Sequence, residues 1–376
     1  MPPIAVKNLG YNVATNGSIM VVGSVPSAGF GGAFVYEQSG TTWTQTAILV
    51  GPNGAPATLG HGVAIGADFI AVGDISAEKV HVFEKVAGTW TLKASLAPSG
   101  PTVWPLFGFY VAASGDRIVA SGGYLSIGAG VFVFRRIGSS WVQEGKLQPT
   151  DPQSAAEFGQ ALAVDGTTAV VGARLGVGGP TSVGAVYVFD FDGAVWKQTA
   201  KLVYPSSANW VGRSVDIDGD RIAVGAEQRA LIYRRFAGLW LLNADIASPG
   251  TNVGQFGGAV AIDGQTLAVA ARADLTPLQQ VGSITVYDLG GSAPIPRMKL
   301  TGKPGPYESF GESIDLRSGI LAVGVTEHSK PATRERFKTG HSERGRERRP
   351  TMSASLRRRA CRISSRWRRS TRSSNC

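Results

Sequence analysis

A glycine mark that returns about every fifty residues, tight glycine turns at a fixed offset behind it, and a composition poor in helix-forming charge together predict an all-β chain. The fold they point to is a seven-bladed β-propeller with an incomplete seventh blade, followed by a disordered Arg-rich tail. The marks are Gly10, Gly60, Gly108, Gly159, Gly212, Gly257 and Gly311, spaced 50, 48, 51, 53, 45 and 54 residues apart. Charged residues are only 17% of the chain, too few to cover the exposed faces of many helices, and Gly supplies 50 of 376 residues. At 43% hydrophobic, the chain has apolar matter for a sizeable core.

Each repeat parses into four short strands. The fourth repeat reads FGQALAVDGTTAVVGA, a loop, then GAVYVFDFDGAVWKQTAKL. Its first strand is the Val/Ala/Ile stretch behind the mark. A two-residue turn follows in most repeats, at Asn16-Gly17, Ser114-Gly115, Asp165-Gly166, Asp218-Gly219, Asp263-Gly264 and Ser318-Gly319. Such pairs supply the positive φ that tight hairpins need. The second strand is the IAVGA-type run. The third is the VYVF-type run, whose alternation of aromatic and β-branched residues suits a half-buried pleat. The fourth begins at a tryptophan: Trp43, Trp90, Trp141, Trp196 or Trp240. Four antiparallel strands repeated at this period describe a propeller blade, since each small sheet must cover its flanks with its neighbours. The repeats start near residues 9, 59, 107, 158, 210, 256 and 310.

Chain direction puts the short turns on one face and the longer connections on the other. The stretches 97–105, 174–184 and 272–282 belong to the second, irregular face, where binding is expected. Trp104, Tyr124 and Arg174 are the candidate ligand contacts there, because aromatic and Arg side chains favour binding hot spots. Trp210, beside a mark in the place of the usual Phe, is expected in the core.

The strings FGQALAVDG…AVVGA, VGRSVDIDGDRIAVGA and FGGAVAIDG…LAVAA resemble FG-GAP repeats, the units of integrin-like β-propellers. The resemblance covers residue 9 to about 325 and implies seven blades. It also implies an adhesion or interaction domain, in bacterial members often secreted or surface-exposed. The integrin form holds calcium in a longer, acid-rich loop between the first two strands. Here the nearest approach is Asp216-Ile217-Asp218-Gly219-Asp220, too short to wrap an ion that wants six or more oxygens. A metal-free variant with no cofactor is therefore expected, the acids serving turn geometry. Kelch propellers share the period and the Tyr and Trp positions, but lack the Phe-Gly opening.

Charge divides the chain. Residues 1–325 carry a net −2 and residues 326–376 a net +12, so the excess of base belongs to the tail. The tail has 14 Arg and 9 Ser among its 51 residues and holds both cysteines, Cys361 and Cys376. Abrupt onset favours out-of-frame translation of a GC-rich gene. A natural basic tail able to bind nucleic acid and a folded module are the alternatives. The seventh repeat, FGESIDLRSGILAVGV, stops after two strands. An unpaired edge at Ile320–Val325 and weakened ring closure are expected.

Catalytic machinery is sparse. The two histidines of the body, His61 and His81, read as structural, with His81 facing between blades or to solvent, and no metalloprotease, nucleophile-elbow or phosphate-loop motif occurs. Asp74, Asp116, Asp274 and Glu227 are the acids from which a carboxylate pair could be drawn. No stretch of 18 apolar residues predicts a membrane span, and the start MPPIAVKNLG does not read as a secretory signal. The leading expectation is a non-catalytic module that recognises protein or glycan through its irregular face. The alternatives are a kelch-like intracellular scaffold and a propeller hydrolase or lyase.

Overall fold

A computed structural model describes residues 9–24, 31–52, 59–100, 105–122, 130–151, 156–175, 183–205, 209–250, 253–274, 281–302 and 308–327. The tail expectation for residues 328–376 lies outside them. The described chain is an all-β propeller. Six sheets have four strands each, and a seventh sheet has two, Glu308–Arg317 and Ile320–Glu327. Seven blades are thus corrected to six complete ones and a hairpin in the seventh place. Within every sheet the strands are antiparallel and neighbours follow sequence order, so no blade borrows a strand from another repeat.

The first strands are Leu9–Thr15, Leu59–Ile65, Val111–Ser114, Ala156–Asp165, Ser214–Asp218, Val253–Asp263 and Glu308–Arg317. They stand nearest the axis. In five of them the pairing slips at the glycine mark, as between Phe158 and Ala161 or Phe256 and Ala259. In these five, and at Gly108 and Gly212 just ahead of their strands, the mark's carbonyl turns onto the preceding blade. It meets the glycine of that blade's second strand so closely that a Cβ on Gly73 would lie 1.8 Å from Gly108 O. The pairs Gly23–Gly60, Gly172–Gly212, Gly225–Gly257 and Gly324–Gly10 repeat the contact. The two glycines of the repeat are therefore one device, a backbone-to-backbone seat between blades.

An apolar cluster fills each of the seven blade interfaces. Between blades 4 and 5 it joins Val170, Val186 and Val188 to Ile222, Val224 and Leu231. The tryptophans lean back on the preceding blade: Trp141 packs edge-on against Phe69 at 4.9 Å, and Trp90 and Trp196 donate Nε1–H to Glu37 and Glu144. The closing interface has the smallest apolar cluster. Val13, Met20, Val22 and Phe34 of blade 1 meet only Ala322 from the hairpin. The ring nevertheless closes on its inner strands, where Ser313 Oγ donates to Gly10 O and Thr15 N–H to Asp315 Oδ2. Beyond Ile320–Glu327 the outer half of the seventh wedge has no strand among the described residues.

Two readings of the turns change. Asp165 pairs with Thr168 and Asp218 with Arg221, so the turn centres are Gly166-Thr167 and Gly219-Asp220, one residue later than expected. Positive φ at the glycine alone is the II′ pattern. The acid that precedes the glycine looks outward to the next blade instead of into its own turn. Asp165 Oδ2 accepts from Gly219 N, Asp218 Oδ2 from Gly264 N, and Asp263 Oδ2 from Gly319 N, with Ser114 Oγ accepting from Gly166 N. These links run turn to turn around part of one face. Asp218→Ala should lower stability by about 1 kcal/mol, the usual net worth of one such bond. A urea midpoint unchanged from the parent would show that the links carry no stability.

Candidate functional site

All seven first strands line one cavity of about 340 Å³ on the axis. Most inner positions are Ala or Val, which lets seven strands approach. Polar groups gather at the two ends.

At the mouth on the side of the irregular connections, the residue after each glycine mark sets the character of the wall. In blades 1 to 3 these are Tyr11, His61 and Phe109, which touch one another with ring centroids 5.0–6.4 Å apart, and Tyr110 packs beside Phe109 at 4.8 Å. In blades 4, 5 and 7 they are Gln160, Arg213 and Glu312. Two further arginines, Arg174 and Arg272, come from near the ends of second strands, Thr168–Leu175 and Thr266–Asp274. The mouth is therefore aromatic on one arc and cationic on the other.

The cationic arc is held from below. Glu157, Trp210 and Gln255 each stand two residues before a mark and adopt φ near +60°, a left-handed conformation that non-glycine residues seldom take. Each reaches a mouth arginine. Glu157 receives the Arg174 guanidinium, Gln255 Oε1 accepts from Arg213 Nη2 at 2.9 Å, and the Trp210 ring lies 5.6 Å from the Arg213 guanidinium carbon. Arg272 pairs with Glu312. Burial, then the charges of Arg272 and Arg174, pull the Arg213 pKa down to about 10. Leu106, two residues before Gly108, takes the same conformation, so it is a feature of the repeat that blades 4 to 6 use to seat partners of Arg174 and Arg213.

At the opposite end the channel is bridged. Arg317 Nη2 donates to Asp216 Oδ1 at 3.1 Å, and its Nη1 donates to Ile262 O at 2.7 Å. Asp216 also accepts from Ile217 N and Ile262 N, and Asp315 from Thr15 N and Leu316 N. Burial pushes both carboxyls up, Asp315 to about 6 although its residue is only half-buried.

Of the three residues expected at the ligand face, Arg174 stands at the mouth, while Trp104 and Tyr124 lie outside the described residues. Trp210 is not core. It is half-buried under Arg213, and the next residue, Val211, fills the apolar slot. The acids considered for a carboxylate pair each have their own partners. Asp74 caps Ser76 N and Ala77 N beside His81, Asp116 pairs with Arg135, and Glu227 accepts from Asn209. The side chain of Asp274 lies outside the described residues. His81 is buried in its blade, its Nδ1 2.8 Å from Ser95 Oγ. Of the turn acids, Asp218 serves the next blade's turn and Asp220 pairs with Arg221 and Arg234. Sequence reasoning passed over Arg213 and Arg272. The signal was columnar: Arg174, Glu227 and Arg272 occupy one repeat position, directly after the Gly-Ala or Ala-Ala that ends the second-strand run.

The FG-GAP repeat family matches residues 141–189, from the last strand of blade 3 through the third strand of blade 4. A chain of a solved structure titled "Crystal Structure of Mitotic Checkpoint Complex" is similar at a TM-score of 0.55 and 12% identity, over 86% of each chain. At that identity the likeness shows the fold alone. No match was found among curated proteins.

Proposed function

Starting from an FG-GAP-type β-propeller, we propose that this chain is a non-catalytic binding module that takes a protein or glycan ligand at the arginine-lined mouth of its central channel. The observation that carries the reading is the convergence of Arg174, Arg213 and Arg272 with Tyr11 and Tyr110 on one cavity. Groups from all seven repeats contribute to this mouth, and the ring fixes their spacing. Rigid presentation of Arg and aromatic groups is what a recognition surface needs. The reading requires no cofactor. A cell-adhesion role is its extension to a ligand displayed on a surface.

One other surface competes. Phe236, Leu239, Leu241 and Leu242 on the outer strands of blade 5 are exposed, with Phe236 at 74%. An apolar strip of this kind suits a protein partner. Both surfaces can be tested on glycan and peptide arrays probed with the full chain, Arg213→Glu and Leu241→Ser. The mouth reading expects hits that survive Leu241→Ser and fall at least tenfold with Arg213→Glu, the ligand being recovered chemically unchanged. Hits that survive Arg213→Glu, or a ligand that is turned over, would overturn it.

A further inference from the structure

The seventh wedge is walled but not filled. Every other second strand continues into a third, while the outward edge of Ile320–Glu327 pairs with no strand among the described residues. Burial registers the gap on both walls. Val35, Val82, Val133, Val188 and Ile232 hold one position of the third strand and are at most 1% exposed. Each shares an apolar cluster with the aromatic of the next blade's third strand: Phe83, Phe134, Phe189, Tyr233 and Tyr287. Val286, the same position of blade 6, is only half-buried, and so is Tyr36, the aromatic of blade 1 that faces the wedge.

The six third strands define what fits between those walls. In each of them a β-branched residue stands directly before the aromatic, as in Val82-Phe83 and Val188-Phe189. Two residues beyond the aromatic, Lys85, Arg136 and Arg235 pair with an acid of the preceding blade's third strand, Glu37, Glu84 and Asp190. Asp288 is that acid in blade 6, held meanwhile by Arg297 of its own blade. The fourth strand has a different history. Opposite the β-branched position blades 1 to 5 keep Ala47, Ala94, Gly145, Ala200 and Ala244. A Cβ on Gly145 would lie 3.0 Å from the indole of Trp196 in the next blade. Blade 6 has Met298 there, in the place of a seventh tryptophan. The wedge is thus shaped for a third strand and not for a fourth.

We infer that the seventh wedge is a strand-acceptor site, an interaction surface separate from the mouth. It takes one extended segment of another protein, antiparallel to Ile320–Glu327, with the pattern β-branched, aromatic, any residue, Arg or Lys. The open edge supplies backbone hydrogen bonds and the walls supply selection. The aromatic covers Val286, the β-branched residue faces Tyr36, and the cation lies on Asp288. Residues 1–8 and 328–376 of this chain contain no β-branched residue followed by an aromatic. The edge of a second copy, ILAVGVTE, has neither aromatic nor cation.

The probe is a fluorescein-labelled copy of residues 79–86, KVHVFEKV, titrated with the full chain and read by anisotropy. The expected result is saturable binding, at least tenfold weaker for a scrambled peptide. Val286→Glu should lower it at least tenfold and Asp288→Asn severalfold, with melting temperatures held. Leu241→Ser, on the apolar strip of blade 5, should bind as the parent does. N-methylation of one alternate set of peptide amides should abolish binding and of the other set should spare it, because a strand is held by one edge. Absence of saturable binding, binding equal in Val286→Glu and the parent, or equal effects of the two N-methyl sets overturns the inference. Binding lost in Leu241→Ser moves the site to blade 5 and overturns it too, as do parent dimers that exclude the peptide, which assign the edge to a second copy.

Discussion

Gly324→Val should prevent the ring from closing. A Cβ on Gly324 would stand 2.1 Å from Gly10 O and 2.3 Å from Ser313 Oγ. The first of these is backbone, and the Ser313 hydroxyl is itself donating to Gly10 O. Neither side can give without parting the first strand of blade 1 from the hairpin. The same clash at Gly225, 2.1 Å from Gly257 O, would strain an interface backed by two four-stranded sheets. At Gly324 one partner is a two-stranded sheet, and only Ala322 reaches the apolar cluster from its side. We expect a loss of more than about 3 kcal/mol, at the severe end for overpacking, with a lowered melting temperature and new protease sensitivity. Size-exclusion chromatography should show association as the apolar flank of blade 1, with Val13, Met20, Val22 and Phe34, is uncovered. Gly291→Ala, whose new Cβ would have only Ala293 O at 3.6 Å, is the matched control and should be silent. A Gly324→Val protein that melts with the parent as a monomer would mean that the closing seat is not formed.

The repeat made most of this architecture legible. Glycine marks, turn glycines and the VYVF runs located the strands because each has a local cause: a bulge, a II′ turn, an alternating pleat. What the sequence could not show was reach between repeats. Asp165 and Asp218 look like turn residues because their chemistry suits turns, and only the radial stacking reveals that they bind the glycine N–H of the next blade. Trp210 reads as core by analogy with Phe, but the turn closed by Arg213 N–H to Trp210 O seats Val211 inward and leaves the indole beneath Arg213. The mouth arginines come from two different repeat positions, so no contiguous string announces them. Arg174 was visible as a loop-face cation. Its partnership with Arg213 and Arg272 is a product of the ring.

The second large effect is expected at the other end of the channel, and its size depends on pH. Arg317 belongs to the hairpin, yet it binds Asp216 of blade 5 and Ile262 O of blade 6, while Asp315 beside it accepts from Thr15 of blade 1. One guanidinium thus stands between two carboxyls that burial already pushes upward, Asp315 to about 6. Arg317→Met leaves both carboxylates without their counter-charge. Breaking such a pair from one side costs about 3–5 kcal/mol, so at pH 7.5 the variant should be severely destabilised. A carboxyl with a folded pKa above its unfolded value holds its proton more tightly in the folded state. Its ionisation therefore subtracts stability as pH rises from about 4 through its folded value. The parent should lose some stability as pH climbs through about 6. In Arg317→Met the carboxyls rise further, so the loss should be steeper and much of the stability should return at pH 5. Adding Asp315→Asn to the variant should flatten the profile and recover stability at pH 7.5, since the amide oxygen can still accept from Thr15. Melting temperatures from pH 5 to 8 decide the matter. Parallel profiles for parent and Arg317→Met would mean that the arginine closes the ring by its bond to Ile262 O and by packing, and that its charge does no part of the holding.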